Sequence, residues 1–293
     1  AAIATLEAAV ASATLDLAAL RVLDSGTLVT VGGAGPNSRI YRTDSAGWFE
    51  PSTLWASAVL PLAGTQLVIG GLPSSSALTG VLQRSSDGGL SAVTVYTLAS
   101  GIATVHDLFE VRSGTLLAST SSGGILRSIN AGSSWAVTQT ISGAYHVRRF
   151  FQPRSGTLWG ATGYDNAALA NGLNLWESTD GGVSWLPRHR VLQTGDYHAN
   201  GMVSLSGSEW LLATVGGGIG QRGVLRAKYT SPSSISWVWV QSGASFSHTV
   251  RTGSQHLLFG WQEPNTIEGG TIWRSVDQGS SWQEDARVAK QGN

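Results

Sequence analysis

Residues 178–185 read Ser178-Thr179-Asp180-Gly181-Gly182-Val183-Ser184-Trp185, and this phrase returns along the chain. The other copies, complete or worn, are Ser275-Val276-Asp277-Gln278-Gly279-Ser280-Ser281-Trp282, Ser128-Ile129-Asn130-Ala131-Gly132-Ser133-Ser134-Trp135, Ser85-Ser86-Asp87-Gly88-Gly89 and Thr43-Asp44-Ser45-Ala46-Gly47-Trp48. Successive Asp or Asn positions are 43, 43, 50 and 97 residues apart, and the last gap spans two periods with a degenerate copy near Tyr229. This spacing indicates six units of about 45 residues, and a period of that length is typical of a propeller or a solenoid.

The repeated phrase is a turn by its chemistry. An Asp or Asn side chain accepts hydrogen bonds from backbone N–H groups a few residues on, and glycine adopts the positive φ that closes such a turn. The Trp is expected to bury its ring between neighbouring units, where its N–H needs a partner. Asn130 can accept as Asp does, so its copy is predicted to keep the turn. The copy near Tyr229 is predicted to have a different turn, shaped by Pro232.

Each unit also carries four apolar runs. A polar turn such as Arg112-Ser113-Gly114-Thr115 joins the first run to the second, a variable loop leads to the third, and the Asp phrase joins the third to the fourth. The pattern predicts four short antiparallel strands per unit, repeated six times, which is a radial all-β array. The innermost strands are predicted to begin near residues 14, 55, 104, 144, 197 and 245.

These motifs resemble the Asp-box (BNR) repeats of sialidase-type and related β-propellers. Four copies match and two are degenerate. The resemblance implies an all-β, six-bladed propeller with four-stranded blades over residues 14–293, in which the Asp turns lie away from the active face. Sialidases also need an Arg triad and an early Phe/Tyr-Arg-Ile-Pro motif. No Arg-Ile-Pro occurs in this chain, which argues against sialidase activity.

Composition narrows the classes of partner. The formal net charge is zero and only 12% of residues are charged, which argues against a nucleic-acid partner. The chain has no Cys, so disulfides and thiolate metal sites are excluded. No apolar run approaches the roughly 20 residues of a membrane span, so we expect no membrane insertion. High Gly, Ser and Thr with low charge favour an extracellular or virion-surface location.

Residues 1–13 do not fit the repeat and are helical in propensity. Ile3, Leu6 and Val10 are three and four residues apart, as in a coiled coil. One interpretation is a short helix that lies on the propeller. The other is the end of a coiled-coil stem that makes a homotrimer, an arrangement similar to viral tail fibres. Because the chain starts with Ala and its only Met is Met202, we expect it to be processed or part of a longer protein.

A candidate ligand-binding face lies where the innermost strands begin, opposite the Asp turns. Four of the six His residues fall there, although they lie 8, 10, 9 and 5 residues before the hairpin glycines. Since side chains alternate along a strand, they cannot all point into the channel unless bulges intervene. The candidate binding residues are His106, Asp107, Tyr145, His146, Arg148, Tyr164, Asp165, Asp196, Tyr197, His198, His248, Arg251, Trp261 and Glu263.

Several chemistries remain open at this face. The unequal offsets of the His residues argue against a metal site, and we expect no metal and no cofactor. A glycosidase needs two carboxylates, and a polysaccharide lyase needs a Tyr or His base with an Arg for the uronate. The carboxylates available to a glycosidase are Asp107, Asp165, Asp196, Glu263 and Glu268. The residues available to a lyase are Tyr145, His146, Arg148, Tyr197 and His198. The first hypothesis is nevertheless a binding module for a glycan or cell-surface receptor. Alternatives are the polysaccharide-degrading enzyme and a structural ring that docks onto a larger assembly.

Overall fold

The structure is a computed structural model. It describes residues 17–23, 27–32, 39–44, 47–49, 55–73, 77–102, 104–141, 145–154, 156–164, 174–190, 196–205, 209–217, 223–231, 234–242, 245–252, 255–261 and 271–287. The predicted helix over residues 1–13 lies outside these ranges. The chain divides into two compact units, residues 1–143 and 144–293.

The first unit contains three four-stranded sheets. Its strands are β1 (Leu17–Val22), β2 (Leu28–Gly32), β3 (Arg39–Asp44) and β4 (Gly47–Phe49) in the first sheet; β5 (Trp55–Pro61), β6 (Leu67–Leu72), β7 (Val81–Ser85) and β8 (Val93–Thr97) in the second; and β9 (Val105–Arg112), β10 (Thr115–Thr120), β11 (Gly124–Ser128) and β12 (Ala136–Thr140) in the third. A short 3-10 turn, Ser121–Gly123, precedes β11.

The second unit repeats the plan. Its strands are β13 (Tyr145–Arg154), β14 (Thr157–Tyr164), β15 (Asn174–Ser178) and β16 (Leu186–Arg190) in the fourth sheet; β17 (Asp196–Ser204), β18 (Glu209–Gly217), β19 (Gly223–Ser231) and β20 (Ser234–Ser242) in the fifth; and β21 (Ser245–Thr252), β22 (Gln255–Trp261), β23 (Thr271–Ser275) and β24 (Gln283–Arg287) in the sixth.

All six sheets are antiparallel meanders, in which each strand pairs with the next one along the chain. The described residues include no α-helix. The prediction of an all-β chain built from four-stranded antiparallel units is therefore confirmed.

The repeated phrase forms the turn between the third and fourth strands. In the fourth sheet the Ser178 hydroxyl donates to Asp180 Oδ1 at 2.8 Å and accepts the Gly182 N–H at 2.9 Å. Asp180 Oδ1 also accepts the N–H groups of Val183 and Ser184, both at 3.0 Å. The Ser184 hydroxyl donates to Oδ2 at 2.5 Å. The side chain thus closes the turn by accepting several bonds at once, as the sequence predicts.

Hydrogen bonding makes these carboxyls strongly acidic. The hydroxyl and N–H of Ser91 lower the pKa of Asp87 from 3.8 to about 2. Ser281 has the same effect on Asp277, whose pKa is also about 2. At Asp180, burial raises the pKa, but the bonds from Ser184 and its neighbours outweigh burial and again bring the pKa to about 2.

The Asn copy closes in the same way. Asn130 Oδ1 accepts the Ser134 N–H at 2.9 Å, and its Nδ2 donates to the Ser134 hydroxyl at 2.8 Å. The prediction that this copy keeps the turn is therefore confirmed. The buried Trp135 donates from Nε1 to Gly132 O at 3.1 Å, so its N–H is satisfied within its own turn. Its ring joins an apolar cluster drawn from the second and third sheets.

The fifth sheet lacks the phrase and closes differently. β19 continues to Ser231, which pairs with Ser234 at the start of β20. The prediction of a different turn is confirmed, while Pro232 lies outside the described residues. Tyr229 packs edge-on against Trp159 of the fourth sheet, with ring centroids 6.3 Å apart. Trp237 and Trp239 pack on the same cluster, so other aromatic rings fill this sheet interface.

Candidate ligand-binding strand ends

Each sheet has two chemically different ends. The Asp turn lies beside the hairpin that joins the first two strands: the Ala131 N–H donates to Gly114 O at 2.9 Å, and the Gly88 N–H donates to Thr65 O at 2.7 Å. We call this the hairpin end. The first strand begins, and the second strand finishes, at the opposite end, which we call the entry end.

A β-bulge lies near the entry end of every sheet. In all six pairings of a first strand with a second, the register shifts by one residue. The residues that the register skips at these shifts, called here the bulge residues, are Ala18, Ser57, His106, Arg148, Asn200 and Ser247. Bulges commonly re-aim side chains beside functional sites. They also supply a common reference point for comparing the six strands.

The second sheet shows where a bulge residue lies. The Ser57 hydroxyl donates to Val105 O at 2.8 Å, and Val105 is the residue before the bulge of the third sheet. Gly70 on β6 allows this close approach, because a Cβ there would meet Val105 Cβ at 2.5 Å. A bulge residue can therefore contact the first strand of the next sheet in the chain.

Measured from the bulge, the four histidines occupy three positions. His106 is itself a bulge residue, and His248 directly follows one. His146 and His198 both lie two residues before the bulge of their strands. Their unequal distances from the hairpin glycine arise in part because β13 has a second irregularity near its hairpin, between Phe151 and Arg154. His146 and His198 are thus equivalent residues of neighbouring sheets.

The first unit has a buried carboxylate at its entry end. Asp107 is only 5% exposed and pairs across the strands with Ser119, which is fully buried. Directly opposed residues share a face of the sheet, so the two side chains are neighbours. Ser119 Oγ has no hydrogen-bond partner among the described residues. His106 precedes Asp107, is half-buried and has a buried Nε2 atom. This is a desolvated polar group of the kind that binding sites often contain.

In the second unit, strand register places aromatic candidates at the entry end. Tyr145 pairs with Tyr164, and Trp261 pairs with Ser245 at the start of β21. Asp196 and Tyr197 open β17.

Three other candidates stand apart from this group. Arg251 pairs with His256 beside the β21–β22 hairpin, so it lies at the hairpin end. Asp165 and Glu263 lie outside the described residues.

The three first strands of this unit are neighbours, since β13 contacts β17 and β17 contacts β21. The register also brings Asn200 and Arg149 to this end, and neither carries a signal in the sequence. Asn200 is the bulge residue that corresponds to Arg148, and Arg149 donates from Nη1 to Arg148 O at 3.3 Å. Asn200 can be matched with Arg148 only when the position of the bulge in each strand is known. The distance to the hairpin glycine does not give that position.

The described part of the chain contains neither a metal-type cluster of side chains nor a helix suited to a membrane. No group of three or more His, Cys, Asp or Glu side chains there is arranged to hold a metal ion. No helix within the same ranges has the length and apolar character needed to cross a membrane.

No family model and no curated protein sequence matches the chain. Solved structures do match. The chain is similar to YCF48 bound to D1 peptide, with 16% identity over 93% of this chain and 82% of that one, at a TM-score of 0.63. It is also similar to the GH74 enzyme of Niastella koreensis, with 15% identity over 93% of this chain and 47% of that one, at a TM-score of 0.67.

A third similar structure is the GH74 xyloglucanase of Xanthomonas campestris, with 14% identity over 92% of this chain and 45% of that one, at a TM-score of 0.68. The chain therefore spans about half the length of either GH74 protein. At such low identity the likeness concerns architecture alone. With its antiparallel four-stranded sheets, the chain has a β-propeller fold.

Proposed function

We propose that this chain is an extracellular or virion-surface binding module that recognises a glycan or another cell-surface receptor through the entry ends of its sheets. In this proposal the six sheets are Asp-box blades of one propeller, and the entry ends form its recognition face. Protein folds of this kind serve many functions, so we infer the function from the site and not from the architecture.

One observation carries the proposal. Neighbouring strands β13 and β17 present the same dipeptide, Tyr145-His146 and Tyr197-His198, at the same distance from the bulge. Aromatic rings offer an apolar face with a polar tip, which suits sugar rings, and imidazoles donate to or accept from hydroxyls. Two equivalent Tyr-His pairs side by side would suit a ligand with repeating units, such as an oligosaccharide.

The similar structures are compatible with this proposal, but they do not identify the class of ligand. One of them is a xyloglucanase, an enzyme that acts on a polysaccharide, and another is bound to a peptide. The same fold therefore accommodates saccharide and peptide ligands. A glycan is favoured here by the aromatic and hydroxyl-binding residues at the entry ends.

A glycan array tests the proposal. The labelled full chain is compared with the double variant H146Q/H198Q and with His189→Gln, a control on the fourth strand β16 of the same unit. We expect binding by the wild type and the control, and at least about tenfold weaker binding by the double variant, or about 1.4 kcal/mol. Binding that the double variant retains in full would refute recognition through these strand ends, and an array with no bound glycan would refute a glycan ligand.

A second candidate is a polysaccharide-degrading enzyme at the same ends. The buried Asp107 favours it, because a desolvated carboxyl suits a general acid. Reducing-end release from xyloglucan and unsaturated-product formation from polygalacturonate test for hydrolase and lyase activity. We expect neither with wild-type protein. If the wild-type protein degrades either polysaccharide and Asp107→Asn abolishes this activity, the protein is an enzyme and not only a binding module.

We also propose that residues 1–13 form a trimeric stem, on the basis of the spacing of Ile3, Leu6 and Val10. Size-exclusion chromatography with light scattering should give a particle mass three times the chain mass of 30.5 kDa. Removal of residues 1–13 should reduce the particle mass to that of a single chain. A monomeric full chain would contradict this part of the proposal.

A further inference from the structure

The outermost strand of the fifth sheet is longer than those of the other five sheets. β20 has nine residues, Ser234–Ser242, whereas β4 has three and β8, β12, β16 and β24 have five each. It ends the strand order of its sheet, and among the described strands it pairs with β19 alone. Natural sheets usually keep such edge strands short, because their unpaired backbone N–H and C=O groups can pair with another chain.

The composition of β20 leaves this edge unprotected. Its nine residues include no charged residue and no proline. By contrast, β16 contains Pro187 and Arg188, and β24 contains Glu284 and Asp285, which are residue types that hinder the addition of a further strand. β4, β8 and β12 are uncharged as well, but they are short. Among the six described outermost strands, β20 alone is both long and uncharged.

The side chains of β20 alternate between two environments. Trp237 and Trp239 are partly buried and pack on the apolar cluster between the fourth and fifth sheets. Val238 lies on the other face of the strand and is 62% exposed. A further strand beside β20 would therefore meet aromatic rings on one face and an exposed valine on the other.

The nearest charges on this face do not oppose such a contact. Arg226 and Lys228 lie on β19, one strand in from the edge, and pair with Val238 and Ser236 of β20. Both are close to Glu209, since Arg226 binds Glu209 at 2.6 Å and Lys228 pairs with it across β18 and β19. The edge itself is therefore apolar and uncharged.

We infer that β20 is a self-association edge, to which a second copy of this chain adds its own β20 as an antiparallel fifth strand. Two identical edges pair in this way about a two-fold axis, so the contact closes on itself. Full overlap of the nine residues puts the axis at Val238, which then opposes the partner's Val238, while Trp237 opposes the partner's Trp239. Aromatic cross-strand pairs are stabilising, and an uncharged strand brings no like charges together across the axis.

This contact is independent of the two proposals made above. β20 is the outer edge of its sheet, whereas the glycan site is proposed at the first strands β13 and β17. The stem would join three chains about a three-fold axis, whereas the β20 contact joins two chains about a two-fold axis. Because one pair of strands is only marginally stable in water, we expect the β20 contact to link particles only at high protein concentration.

Cysteine cross-linking tests the contact and its register, because the chain has no native Cys. Opposed Cα atoms of an antiparallel pair are about 4.5–5.5 Å apart, which suits a disulfide. Under mild oxidation of the full chain, we expect Val238→Cys to form covalent dimers at least about tenfold faster than Val137→Cys, because pairing raises the effective concentration of the thiol. Val137 is the matched control, a 55% exposed valine on the outermost strand β12. Equal rates on non-reducing gels would overturn the inference.

A charge at the same position tests the contact without cysteine. Light scattering of the wild type should show a particle mass that doubles as the protein concentration rises. Val238→Lys opposes two like charges across the axis and should abolish this doubling, whereas Val137→Lys should retain it. Circular dichroism checks folding, and if Val238→Lys does not fold, Val238→Glu replaces it. A constant wild-type mass, a doubling that both variants retain, or a mass that grows beyond a doubling would overturn the closed two-copy contact.

Discussion

At the scale of single residues, the third sheet has Asn130 where the other copies of the turn have Asp, so it shows what an Asp→Asn substitution does to the turn. Asn130 bonds the N–H and hydroxyl of Ser134 as Asp180 bonds those of Ser184, except that Asn130 Nδ2 donates to the hydroxyl whereas Asp180 Oδ2 accepts from it, and Asn130 carries no negative charge. We therefore expect Asp180→Asn to change the free energy of unfolding by less than about 0.5 kcal/mol. Asp180→Ala removes several accepted hydrogen bonds and should cost about 1–2 kcal/mol. Urea denaturation measures both, and equal losses in the two variants would contradict this explanation of the turn.

The acidic carboxyls of the Asp turns imply a pH dependence. Asp87, Asp180 and Asp277 have folded pKa values of about 2, below their ordinary 3.8. Their contribution to stability is therefore complete above pH ~4 and is lost as the pH falls towards 2. The triple Asp→Asn variant should lose less stability than the wild type between pH 4 and 2, as measured by urea denaturation. Parallel curves for the two proteins would show that these turns do not cause the acid sensitivity.

At the scale of strands and sheets, the contact between neighbouring sheets depends on Gly70. A Cβ there would lie 2.5 Å from Val105 Cβ on the next first strand. We expect Gly70→Ala to destabilise the protein by about 1–3 kcal/mol through overpacking. Val105→Gly removes the clashing atom, so the double variant G70A/V105G should lose less than the sum of the two single variants in a thermodynamic cycle. Additive losses would indicate that these strands do not meet as closely as described.

The strands themselves could be predicted from the sequence, because the repeated phrase and the apolar runs mark each turn and strand. The bulges could not. A bulge is an irregularity in pairing between two strands, and residues such as Ser57 and Asn200 carry no sequence signal for it. Counting from the hairpin glycine therefore separated His146 from His198, which the register makes equivalent. The candidate face was predictable in outline, but the positions of its residues within each strand were not.

At the scale of the whole molecule, the two units share a plan and differ in chemistry. Both are built from three antiparallel four-stranded sheets, but the first has a buried Asp107 at an entry end, whereas β13 and β17 of the second each have a Tyr-His pair near their first residue. The fold is shared with a peptide-bound protein and with polysaccharide-acting enzymes. Function therefore depends on which side chains the entry ends present, and in our proposal the second unit is the one that binds the saccharide.

Hydrogen–deuterium exchange with the tightest-binding glycan of the array locates that ligand most directly. We expect slower exchange of backbone amides in peptides covering residues 145–149 and 196–201, at the starts of β13 and β17. Peptides covering the Asp turns at residues 178–185 and 275–282 should exchange as they do without ligand. Protection confined to those turns, or to the fourth strands, would place recognition at the hairpin end or the outer edge and contradict the proposed face.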